Sequence, residues 1–368
     1  MKRISFLLLL FFTFLVSVAS PQAPVCRRHR IVTFDAPHAG TAAGQGTFGF
    51  GIIRGNWIMG YYVDGNSVSH GFLRAPDGSM TEFDAPDAAA GSGQGTVAWG
   101  INPERSITGY YVDTNNVGHG YLRDREGTFT EFDVPDAGVG TGQGTYATTI
   151  NPEGVIAGTF IDAVGMHRGF LRAKDGSFTE FDAPGASQGT WTDGFAGLNP
   201  AGAIPGFYVD ASNVTHGYLR ASDGSFTEFD APDAGSASGQ GTWGGSINLA
   251  GAITGYYVDV NNVMHGLLRT RNGSIIEFDS PGAVQGTYGS NINAAGVIAG
   301  NYWDANGVSH GFSRAPDGTF TEFDVPGAGK ASGQGTVPYT NNAEGAVTGP
   351  YIDRNNVNHG FLWIPQSR

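Results

Sequence analysis

Residues 100–123 read GINPERSITGYYVDTNNVGHGYLR, and this stretch decides the fold because the chain keeps returning to it. Its Gly-x-x-x-Asp core recurs from Gly60, Gly109, Gly158, Gly206, Gly255, Gly300 and Gly349, in steps of 49, 49, 48, 49, 45 and 49 residues. Two more marks keep the same period. Phe-Asp-x-Pro starts at Phe34, Phe83, Phe132, Phe181, Phe229, Phe278 and Phe323, and Gln-Gly-Thr at Gln45, Gln94, Gln143, Gln188, Gln240, Gln285 and Gln334. A steady period of this length marks a repeat architecture, in which each unit buries its faces against its neighbours. A chain of 368 residues would otherwise suggest two or three domains, but the array runs unbroken from Arg30 to Trp363 and argues for one.

Within the second repeat the apolar runs fall at Thr96–Ile101, Ser106–Val112, Val117–Arg123 and Thr128–Phe132, each of strand length. The breaks between them are turn chemistry. Asp77-Gly78, Asp175-Gly176 and Asn272-Gly273 are the clearest cases, since Asp-Gly and Asn-Gly supply the positive φ that tight hairpins need. No segment carries a helical period, so helical solenoids are excluded. Four-stranded units that are apolar on both faces predict an all-β, seven-bladed β-propeller with four antiparallel strands per blade; a β-solenoid is the alternative. The last repeat stops at Trp363 without its outer strand, while Arg30–Pro37 matches that strand. The N-terminal strand is therefore expected to complete the last blade and close the ring, with Ile31–Phe34 beside Gly360–Trp363.

Lys2 and Arg3 precede an apolar run from Ile4 to Val18 and a small-residue patch ending at Ser20, the layout of a secretory signal peptide. The expected organisation is a signal peptide over 1–19, a linker over 20–29 and a single propeller domain over 30–368, secreted to an extracellular or periplasmic location. Cys26 is the sole cysteine, so no internal disulfide can form. The formal charge of −13 opposes nucleic acid and anionic membrane surfaces. Neither nucleic-acid partners nor stable membrane insertion after signal removal is expected, and the protein is read as a monomer.

His70, His119, His216, His265, His310 and His359 occupy one position of the third strand, and an Asp ends the second and fourth strands of every repeat. Catalysis needs unlike groups converging within hydrogen-bond reach, whereas equal groups spread round a ring suit scaffolding. A His–Asp lock in each blade is the expectation. The third copy carries Arg168 instead, which can still donate to a carboxylate. The Asp-x-Asn-Asn turns, such as Asp113–Asn116 and Asp259–Asn262, offer oxygen atoms to Ca²⁺, but they lack the Asp-x-Asp spacing and distal Glu of a calcium loop. No cofactor or metal is expected beyond that candidate.

The Pro-to-Gln loops and the Asp-Asn turns should open on one acidic face, and loops on a rigid frame are where binding resides. Just after each Gln-Gly-Thr comes Phe48, Val97, Tyr146, Trp191, Trp243, Tyr288 or Val337. Such a collar could stack on a sugar ring, although packing between inner strands explains it too. Repeat four stands out, with Trp191, Asp193 and Phe195 in a first connection three residues longer than its counterparts. The candidate ligand-binding residues are Phe48, Tyr146, Trp191, Asp193, Trp243 and Tyr288, with any pocket biased toward Trp191 and Trp243.

Gly100–Arg123 resembles the bacterial extracellular repeats of the HAF family, which carry a Gly-Ile-Asn…Gly-x-x-Val-Gly-Tyr…His-Ala-Phe-Leu-Trp series. Here Gly replaces the Ala, and Arg replaces the Trp except at Trp363. The resemblance covers nearly all of the mature chain. It implies secretion and a propeller-like architecture but no reaction and no site residues. The leading functional expectation is an exported, non-catalytic binding protein with a glycan or protein ligand. The rival is a secreted carbohydrate-active enzyme, a glycoside hydrolase or polysaccharide lyase acting at the channel mouth, for which Asp193, Arg54, Arg105 and His38 are the pattern-breaking candidates. No Ser elbow, His-Glu-x-x-His or Gly-Lys phosphate motif supports an enzyme.

Overall fold

The computed structural model describes residues 29–192 and 197–365, and every regular element among them is a β-strand. No helix among the described residues is long and apolar enough to cross a membrane. The expected signal peptide over 1–19, most of the expected linker over 20–29, and Cys26 lie outside the described residues.

Repeat two shows how the sequence makes a unit. Its strands are Gly95–Ile101, Ile107–Val112, Gly118–Arg123 and Phe129–Phe132, within one residue of the expected bounds. Each pairs antiparallel with the next, through Gly95↔Val112, Ile107↔Arg123 and Gly120↔Phe132. The turns close where the backbone turns left-handed, at Asn116 (φ 61°) and Gly127 (φ 98°), conformations that Asn and Gly tolerate best. One face of the unit meets the preceding repeat: Ile107, Tyr111 and Tyr121 cluster with Phe50, Met59 and Ala85. Burying each large apolar side chain in this way contributes about 1.5–3 kcal/mol.

Three fasteners recur between or within units. The Gln-Gly-Thr hydroxyl accepts the backbone N–H that follows Phe-Asp, as from Ala85 to Thr96 at 2.9 Å and from Val325 to Thr336 at 2.9 Å. The arginine ending each third strand lies over the outer-strand phenylalanine of the preceding repeat, as with Arg123 over Phe83 at 4.6 Å and Arg172 over Phe132 at 4.8 Å. Asparagines of the Ile-Asn turns pass a hydrogen bond to the next repeat, from Asn102 to the Asn151 carbonyl at 3.3 Å and from Asn293 to the Asn342 carbonyl at 2.8 Å.

The ends of the array bond to each other as expected. Arg30–Phe34 pairs antiparallel with Asn358–Ile364, from Arg30↔Ile364 to Phe34↔Gly360, and all 29 strands form one hydrogen-bonded sheet. Trp363 explains its own departure from Arg. It stacks on Phe323 at 4.9 Å and 18°, in the position where the other copies place a guanidinium over the same phenylalanine. The inner strand of the last repeat is split into Gly335–Thr336 and Thr340–Asn341. Pro338 sits in the gap with no N–H to give to the ladder.

Candidate functional site

The Pro-to-Gln loops and the Asp-Asn turns do share one face. The Gly142 N–H donates to the Asn116 carbonyl at 2.7 Å, and the Gln94 side chain donates to Asn116 Oδ1 at 2.9 Å. On that face each histidine donates from Nδ1 to the Asp after its outer strand, at 2.8–3.0 Å. Its ring stacks on the neighbouring tyrosine, as Tyr257 on His265 at 5.0 Å. The last lock crosses the chain ends, with His359 on Asp35 at 2.9 Å. Arg168 holds Asp162 through Nε at 2.9 Å and also reaches Asp182, so the lock survives the substitution.

The turn aspartates are committed to the same scaffold. Asp259 Oδ1 accepts the N–H groups of Asn261 and Val263 at 2.9 and 2.8 Å, and Oδ2 accepts from the Asn261 side chain at 3.0 Å. The Val263 N–H is the strongest of the effects holding the Asp259 carboxyl below the usual range. Among the described residues no group of three His, Cys, Asp or Glu side chains is placed to hold a metal ion.

The inner strands converge on a common axis. Gly51, Trp99, Thr149, Leu198, Asn291 and Thr340, from six different repeats, line one cavity of about 110 Å³. Around that axis the aromatic side chains run ring to ring. One arc links Tyr339 to Phe50 at 4.7 Å, Phe50 to Trp99 at 4.6 Å, Trp99 to Tyr110 at 6.2 Å and Tyr110 to Tyr146 at 4.9 Å. A second links His167 to Trp191 at 4.8 Å, Trp191 to Phe207 at 5.3 Å, Phe207 to Trp243 at 6.3 Å, Trp243 to Tyr256 at 4.8 Å and Tyr256 to Tyr288 at 5.0 Å. Phe48 stacks beside the first arc on Tyr61 at 4.8 Å and 11°. The collar residues Phe48, Tyr146, Trp191, Trp243 and Tyr288 are therefore half-buried links in these stacks.

Between the arcs lies a break. In the second strand the residue after the marker glycine is Tyr61, Tyr110, Phe207 or Tyr256 in four repeats, and Thr159 in the third. There a cavity of about 220 Å³ opens, lined by Trp99, Tyr110, Tyr146, Thr148, Thr159, Ile161 and His167. Burial raises the Tyr146 hydroxyl pKa and lowers that of the His167 imidazole, so the lining is uncharged at neutral pH. His167 makes no hydrogen bond to protein through either ring nitrogen among the described residues. The cavity suits a small, neutral, ring-shaped molecule with a few polar edges.

This cavity gathers Tyr146 and, through His167, Trp191. Trp243 is held between Phe207 and Tyr256 instead, so the expected bias toward Trp243 is not where this space lies. Asp193 and Phe195 fall outside the described residues. The other catalytic candidates are kept apart and paired: His38 with Glu82 at 2.6 Å, Arg54 with Glu344 at 3.2 Å, and Arg105 over Trp57 at 4.5 Å. Trp99, Tyr110, Thr159 and His167 were not among the expected site residues. The signal for Thr159 was present, as one of three non-aromatic residues, with Asn301 and Pro350, at a position otherwise aromatic, and the signal for His167 was its place beside Arg168 in the one repeat that breaks the His pattern.

No protein-family model matches the chain, and no curated protein matches it. Solved structures do resemble it in fold. A streptogramin B lyase superposes with a TM-score of 0.55 at 17% identity, covering 91% of this chain and 97% of that one. A virginiamycin B lyase from Staphylococcus aureus gives 0.55 at 15% identity, covering 91% and 99%. The BP39L lectin from Burkholderia pseudomallei gives 0.54 at 11% identity, covering 86% and 93%. At such identities the likeness speaks to fold alone: the chain has the all-β architecture of β-propeller proteins.

Proposed function

We propose that the protein is an exported, monomeric, seven-bladed β-propeller of HAF-like repeats that binds glycans through its loop-bearing face and catalyses no reaction. The observation that carries the reading is the aromatic-lined cavity of about 220 Å³ beside Thr159, where the ring-to-ring packing is interrupted. Aromatic faces accept the apolar face of a sugar, while Thr, Tyr and His edges meet its hydroxyls. The lectin among the fold neighbours supports a glycan as ligand, and the lyases keep the enzymatic rival in view. A scaffold made of equal, mutually satisfied His–Asp pairs offers no converging acid and base for hydrolysis.

The test is a glycan array run beside a polysaccharide turnover screen on the mature protein. Binding without turnover, weakened by Tyr146→Ala or Trp191→Ala, is the expected result. Turnover that disappears with Asp193→Asn would establish the enzyme instead.

A further inference from the structure

Resting on that glycan-binding reading, we propose that the cavity between Tyr146 and His167 is a slot for a single neutral six-membered sugar ring, the terminal residue of a glycan, which completes the aromatic stack where Thr159 interrupts it. The neighbouring repeats show what belongs in the gap. Phe207 stands between Trp191 and Trp243, and Tyr256 between Trp243 and Tyr288. The same position in repeat three lies between Tyr146 and Trp191, with Thr159 opposite Tyr146 in the strand register. A side chain of three heavy atoms, that of Thr159, stands there in place of a ring, and the unfilled volume is the cavity.

The aromatic series is also interrupted at Asn301 and Pro350, and the first of these is bonded across. Asn301 is 2% exposed, and its side-chain amide donates to Ser309 Oγ at 3.1 Å, while that hydroxyl donates to the Thr336 carbonyl at 2.8 Å. Thr159 is bonded as well, its hydroxyl accepting the Thr192 N–H at 3.1 Å, but beside it a cavity of about 220 Å³ remains, half-lined by rings.

Size and chemistry narrow the occupant. An apolar cavity of about 150 Å³ takes benzene, so about 220 Å³ holds one substituted ring and excludes two sugars side by side. Only a terminal residue then fits. Among the described residues no cation or carboxylate lines the space, which disfavours uronic and sialic acids because a buried charge needs a partner. The one proton of the Thr148 hydroxyl is taken up by the carbonyls of Ala157 and Thr192, within 3.4 and 3.3 Å, which leaves its lone pairs as acceptors. Neutral His167 brings one donor and one acceptor, stacked in place on Trp191.

The experiment is tryptophan-fluorescence or calorimetric titration of the mature protein with neutral hexoses and with the best array glycan, on wild type, Thr159→Phe and His167→Ser. Thr159→Phe installs the ring that repeat four carries at Phe207, and position 167 is Ser69, Gly118 or Thr215 in other repeats, so both variants suit the fold. The expected result is that one neutral monosaccharide competes within about tenfold of the intact glycan, and that Thr159→Phe lowers affinity more than tenfold without lowering the melting temperature. Should Thr159→Phe fail to fold, loss of affinity of the same order in His167→Ser supports the slot and unchanged affinity there overturns it. Glycan binding that Thr159→Phe leaves intact would overturn the slot while leaving the glycan-binding reading standing. Binding of phenol or indole but of no sugar, abolished by Thr159→Phe, would overturn both the sugar assignment and the glycan reading.

Discussion

Repeats two and three are neighbours with the same four strands, yet they put their side chains to different ends. In repeat two, Tyr110 fills the space toward Tyr146, Gly118 lies under the Tyr146 ring, and His119 locks Asp133. In repeat three, Thr159, His167 and Arg168 stand at those three positions. The lock is rebuilt by Arg168 on Asp162 and Asp182, while the stack is left open. One departure was compensated and the other was not. That asymmetry is what the proposed division into scaffold and site rests on.

The comparison can be broken most forcefully where the ring is joined. Deleting residues 30–35 removes five ladder positions, the ring beneath Arg74 and the partner of His359. A loss of more than about 4 kcal/mol is expected, with aggregation through the freed edge of Asn358–Ile364, read by thermal melting and light scattering. Next comes the shared core. Phe170→Ala empties a fully buried site in repeat three and should cost about 3–5 kcal/mol by denaturant titration, as the equivalent Tyr121 would in repeat two. If Phe170→Ala is tolerated within about 1 kcal/mol, repeat three is loosely packed throughout and the cavity loses its meaning as a specific opening.

Smaller effects sharpen the contrast at the rim. Arg168→Ala leaves Asp162 and Asp182 without their partner and should cost about 1 kcal/mol, the guanidinium being 37% exposed. Arg168→His should restore most of it, because the other repeats use histidine there. Acid should act on the turns. The Asp259 carboxyl is held below its usual value by the Val263 N–H, as the Asp304 carboxyl is by that of Val308. Groups with lowered pKa lend stability above their unfolded value of about 3.8 and lose it as pH falls further through the folded value. Melting temperature should therefore drop steeply below pH 4, less so in Asp259→Asn. Ligand binding should respond at a higher pH, since burial lowers the His167 pKa from 6.5. Burying the imidazole further favours its neutral form, so affinity should be flat at neutral pH and fall only on acidification below the ordinary imidazole value of 6.5.

Much of the architecture was legible because it is periodic. Strand bounds in repeat two, the Arg30–Phe34 closure and the His–Asp locks followed from marks that recur at fixed spacing and from turn residues with defined backbone preferences. The site was only half legible. Tyr146 and Trp191 stood out as aromatics, but a gap is the absence of a side chain, and sequence order does not show that residues 99, 110, 146, 159 and 167 meet. Trp243 looked equivalent to Trp191 by composition, but it stacks on Phe207 and Tyr256, whereas Trp191 stacks on His167, which lines the cavity. Trp363 stood out only as the copy without arginine, and the structure shows it in an arginine's place above Phe323.

The central claim is that repeated residues hold the frame and departures carry recognition. Its most direct test is a paired measurement of melting temperature and ligand affinity in His265→Ala and His167→Ser. The account predicts a double dissociation. His265→Ala should lose about 1–2 kcal/mol of stability, through its Asp279 pair and Tyr257 stack, with affinity unchanged, while His167→Ser should keep its melting temperature and lose affinity tenfold or more. Equal loss of affinity in both variants, or loss in His265→Ala alone, would contradict it.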